Sequence, residues 1–202
     1  MPASSDAALT PRVAAAQRRL VHRIASAQQR LSAIYRLEIA LEARDFLIAP
    51  DAARDQLGSE APRTGLLAVE EEGELWLGLY FDPADAADPA AVLEETSHWL
   101  AVVWHTLQSA RISPLVLELQ AEIDRYAVVR TAGGDALGHF RRVRWLPDLD
   151  PDQRDRYRTA HAAAFRYCRR LEKRYPRRAD LPGLLNELRR FYRRVPEQKL
   201  AA

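Results

Sequence analysis

The 202 residues carry 48% hydrophobic and 29% charged side chains and a net charge of +2, a globular composition with enough apolar mass for a core and too balanced for a disordered chain. The single cysteine, Cys168, excludes an intrachain disulfide and a thiolate metal cluster and suits a reducing compartment. No apolar run approaches a membrane span, and the opening "MPASSDAALTPR" lacks the basic start and apolar core of a secretory signal, so a cytoplasmic protein with no membrane partner is expected.

In chain order, residues 1–9 read as a flexible tail and 10–202 as a single globular domain. Thr10-Pro11 opens a helix expected to run to about Asp45. Leu20, Ile24, Ala27, Leu31 and Ile34 form one apolar stripe along it, which suits packing inside the same chain; a homodimer seam is the other use of such a stripe. "APDAARDQLGSEAPR" reads as a turn-rich connection. In "TGLLAVEEEGELWLGLYF" two apolar runs flank Glu72-Gly73, which predicts a β-hairpin. Asp88-Pro89, Ser113-Pro114 and Asp150-Pro151 each place a capping side chain before a proline and open helices to about Ala110, Thr131 and Tyr175. A last helix is expected over 182–194, capped by Asp180. The fold class is α+β and mainly helical: a long first helix, a hairpin, an acidic and histidine-bearing helix pair within 65–130, and basic helices over 141–195.

"AVLEETSHWL" sets Glu94, Glu95 and His98 among apolar neighbours, where charge needs a partner. Glu94 and His98 are four apart and share a helix face, with Glu95 beside it. Glu118 and Glu122 are four apart on the next helix, across a short link. Facing one another, these groups would crowd like charges, a cost that a metal ion or a shared proton offsets.

Glu94-Glu95-Thr96-Ser97-His98, with Glu118 following after 19 residues, resembles the active helix and glutamate helix of gluzincin-type zinc peptidases. Glu94 stands in place of the first histidine of His-Glu-x-x-His, so the pattern is degenerate. The resemblance implies a metal held by Glu94, His98 and Glu118, with Glu95 as general base of a metal-dependent hydrolase and Glu122 orienting His98. The carboxylate-rich set suits one divalent ion, zinc or the harder manganese or iron. Glu95-x-x-His98 is also the repeating element of carboxylate-bridged dimetal helices, but no second copy is present.

The alternative is a non-enzymatic helical interaction protein. In it the Glu/His cluster is structural, with Glu118 and Glu122 meeting Arg111, Arg125 or the basic helices. Trp99 and Trp104 then read as core residues, His105 as exposed or half-buried, Tyr157 and His161 as surface or packing residues, with entry of His161 into the site from a third helix as the other reading, and Cys168 as a small core side chain. Residues 141–202 carry 18 basic and 8 acidic side chains, a face for an acidic protein partner. The aromatics among them fall on apolar helical stripes, and no nucleic-acid module is recognisable, which leaves nucleic acid the weaker candidate.

Overall fold

The computed structural model describes residues 11–58, 62–142 and 150–200; the expected tail over 1–9, the Thr10 cap and part of the basic region lie outside them. Its described elements are α1 (Pro11–Tyr35), α2 (Pro50–Leu57), β1 (Gly65–Glu71), β2 (Glu74–Tyr80), α3 (Pro89–Leu107), α4 (Pro114–Thr131), α5 (Gly138–Arg141), α6 (Pro151–Arg174), α7 (Leu181–Tyr192) and α8 (Pro196–Leu200). This is the mainly helical α+β class. No helix among the described residues is long and apolar enough to cross a membrane.

The stripe from Leu20 to Ile34 is buried throughout. Ile24 and Leu31, with no exposed surface, contribute about 2 kcal/mol each by burial. The helix ends ten residues before the expected boundary. Arg36 takes a left-handed φ of 53°, and the Leu37 N–H donates to the Ser32 carbonyl at 3.0 Å, a Schellman-type stop. Gln28 then ties down the returning chain: its Nε2 donates to the Leu41 carbonyl and its Oε1 accepts from the Ala43 N–H, both at 2.8 Å. Beyond it, the stretch read as a connection contains α2, which starts on Pro50.

The hairpin forms as read, in register from Gly65↔Tyr80 to Glu71↔Glu74. Glu72 and Gly73 have φ of 52° and 83°, the double left-handed step of a tight hairpin turn. Its base reaches the core through Leu79, while Leu75 and Trp76 near the turn are exposed.

Asp88, Ser113 and Asp150 cap α3, α4 and α6 with their side chains, satisfying backbone N–H groups that a helix start leaves free. Asp180 instead accepts from the Arg177 N–H at 3.0 Å and makes no side-chain cap on α7. The α3 helix packs on both α1 and α4, and α4 packs on α6. These contacts place the polar residues of α3 and α4 at the centre of the helical layer.

Candidate functional site

The α3–α4 pair holds two polar clusters of different character. The first is closed. Asp124, 1% exposed, accepts from Tyr35 (2.5 Å) and Gln120 (2.6 Å) on one oxygen and from Ser97 (2.6 Å) on the other. Lys199 of α8 donates to Gln120 Oε1 at 2.8 Å. Burial pushes the Asp124 carboxyl up to about 6, against the pull of the Ser97, Tyr35 and Gln120 bonds. Burial likewise brings Lys199 down to about 8. With its donors satisfied and helix-bound, this cluster sets the packing of α1, α3, α4 and α8.

The second cluster opens into a pocket of about 730 Å³ between the hairpin, α3, α4 and the start of α6, a size typical of small-molecule sites. Its floor is Glu95, His98 and Glu118. His98 Nδ1 lies 3.2 Å from Glu95 Oε2, and Nε2 lies 3.6 Å from Glu118 Oε2, beyond hydrogen-bond reach. His98 is 8% exposed, yet its Nε2 has no hydrogen-bond partner. Burial alone would lower the His98 pKa; the charge of Glu95 and the contacts with Glu118 outweigh it and hold the ring well above the usual histidine value. An imidazole with carboxylates at both nitrogens is stabilised as the imidazolium, the monocation carrying a proton on each nitrogen.

Glu94 does not join this pair. Its carboxylate receives the Arg125 guanidinium at 2.8 Å. Burial raises Glu94 to about 7, although His98 and Arg125 pull it down. His98 and Glu118 are thus brought together while the third expected metal donor is committed to arginine. Among the described residues no group of three or more His, Cys, Asp or Glu side chains is arranged to hold a metal ion. The donor set present does not fit the ion that the zincin resemblance implies.

Glu122, expected to orient His98, instead receives His139 Nε2 at 3.0 Å and His161 Nδ1 at 2.9 Å. The outer nitrogens of those rings lie on the carbonyls of Ala136 (3.1 Å) and Phe140 (3.2 Å). Burial would raise the Glu122 carboxyl, but the bonds from His139 and His161 bring it down to about 2. Glu122 therefore pins α5 and α6 to α4. A cavity of about 30 Å³ beside this clamp is lined by Glu94, Glu118, Glu122, Arg125, Tyr157 and Ala160, and His98 does not reach it.

The remaining candidates sort by burial. Trp99 and Cys168 are fully buried core residues, and burial raises the Cys168 thiol, which removes it as a nucleophile. His105 is buried, at 3% exposure, not surface-facing; burial and then Lys199 lower it to about 4. Arg111 meets Glu70 at 3.3 Å, so it takes no part in the Glu118 or Glu122 cluster. Sequence reasoning passed over His139, Asp124 and Arg156. The one local signal for Asp124 was its place one turn after Gln120 between Ile123 and Tyr126. Compared with protein-family models, curated proteins and solved structures, the chain matches none.

Proposed function

We propose that this protein binds a small molecule in the pocket and transfers a proton to it from His98. In this reading Glu95 orients the ring through Nδ1, and Glu118 stabilises the protonated form beside Nε2. The hydrolase chemistry expected from the sequence remains the reaction class, with His98 meeting the substrate and Glu95 behind it. The observation that carries the reading is the contrast on one helix pair: the Asp124 cluster is internally satisfied, whereas His98 Nε2, on the pocket floor, is buried without a hydrogen bond and has the Glu118 carboxylate 3.6 Å away. A large pocket with convergent polar groups and a shifted titratable residue is the physical mark of a working site.

The test is a fragment screen by NMR on wild type and His98→Gln, with metal content measured on the same samples. Hits are expected to shift the wild-type His98 ring nitrogens and the Val102 and Leu117 amides, and to be lost in the variant without unfolding it. Stoichiometric metal lost with His98 would overturn the proton-donor role in favour of the metal-dependent hydrolase. A silent pocket, with His98→Gln altering stability alone, would favour the second reading, a cytoplasmic interaction protein. That reading draws on the exposed Arg166, Arg169, Arg170 and Arg174 of α6 as a dock for an acidic partner.

A further inference from the structure

The first turns of α6 place Gln153, Arg156 and Tyr157 on the pocket wall. Their spacing of three and four residues puts them on one helix face. Tyr157 stands over the acidic floor: burial first, then the charges of Glu118, Glu94 and Glu95, raise its hydroxyl pKa, so it stays a neutral donor. Arg156 differs from the other guanidinium on the pocket wall. Arg111 is matched by Glu70, but no carboxylate among the described residues lies within ion-pair distance of Arg156. Its Nε is buried without a hydrogen-bond partner, and its guanidinium only stacks over the adjacent Tyr157 ring, 5.6 Å from the centroid. Of the donors on residues that line the pocket, Arg156 Nε has neither a hydrogen bond nor a carboxylate within ion-pair distance, and His98 Nε2 has no hydrogen bond, with the Glu118 carboxylate 3.6 Å away. A buried donor without an acceptor is destabilising, a cost that an acceptor on the ligand removes.

Charge sets which acceptor. Glu70, Glu95 and Glu118 face Arg111, Arg156 and protonated His98 around the pocket. That balance leaves one guanidinium for a ligand and two carboxylates close by to repel a multiply charged one. The rest of the wall is apolar, with Leu66, Leu75, Val102, Ile112 and Leu117.

Resting on the reading of the pocket as a small-molecule site, we propose that its ligand is a singly charged carboxylic acid with an apolar body, its carboxylate held by Arg156 beside His98 Nε2. Arg156 is the binding residue, and the hairpin and α4 supply the surface for the body. A phosphate ester, bearing more charge, is excluded by Glu95 and Glu118.

Three probes with one apolar body test this: 3-phenylpropanoate, 3-phenylpropylamine and 3-phenylpropanol, titrated by NMR into the full chain. The expected result is saturable shifts of the Val102 and Leu117 amides with the acid only. Arg156→Gln should weaken it by about tenfold or more, Arg156→Lys should restore part of the binding, and Arg156→Glu should transfer the preference to the amine. The thermal midpoint of each variant shows that it is folded. Amine or alcohol binding in the wild-type pocket, or acid binding indifferent to Arg156→Gln, would overturn the ligand class and leave the pocket reading standing. No response to any of the three would overturn both.

Discussion

Glu122 is a carboxylate whose two oxygens each receive an imidazole, and its charge is worth most where those rings are bonded to it. Its ordinary value of 4.5 falls to about 2 in the fold. A depressed folded pKa means that the unfolded chain takes up the proton first. The stabilisation is therefore complete above about pH 4.5 and is lost as pH falls towards 2. The shift corresponds to about 3 kcal/mol. Urea unfolding across that window should show the steep loss, and Glu122→Gln should flatten it. An unchanged slope in the variant would reject Glu122 as the source. His98 has the opposite sense: its raised pKa gives stability that is full below about pH 6.5 and lost as pH climbs through the folded value. The two residues thus respond at opposite ends of the pH scale. Glu95, His98 and Glu118 were legible as neighbours because helical periodicity puts them on facing surfaces. The partners of Glu122 come from α5 and α6, 17 and 39 residues further on, a distance over which periodicity carries no information.

The starts of α3, α4 and α6 were read correctly because each is a local event, a side chain capping its own helix before a proline. The end of α1 was not. Its last residue, Tyr35, donates to Asp124 across 89 positions, and Gln28 folds the following segment back. These are tertiary contacts, so the apolar periodicity past Tyr35 misled the boundary. The same Asp124 ties α1, α3 and α4 at one point. Asp124→Ala should cost about 3 kcal/mol, since Ser97, Tyr35 and Gln120 would all lose their buried acceptor. Chemical denaturation measures this, and binding in the pocket should survive at temperatures where the variant is folded. A loss below about 0.5 kcal/mol would show that the cluster does not hold the helices together.

At the scale of the molecule, α8 closes the polar core. Lys199 is 2% exposed, reaches Gln120 and stands 5.0 Å from the centroid of the Tyr192 ring and 5.6 Å from that of Phe191. Nothing in the sequence marks Lys199 as buried, because its burial depends on where α7 turns the backbone. Lys199→Met should keep the packing of the stem but orphan Gln120 Oε1, for a loss of about 2 kcal/mol in thermal or urea unfolding. An equally stable variant would make the lysine dispensable.

That anchor also bears on how the protein is made. A chain still growing on the ribosome, with α1 to α7 already emerged, has every apolar stripe available but no cation for Gln120 and the Tyr192 ring. Its centre stays poorly knit until α8 is synthesised and docks. Nascent chains halted before Pro196 should therefore be digested readily by protease, and those extended far enough past Leu200 for α8 to clear the ribosome should resist it.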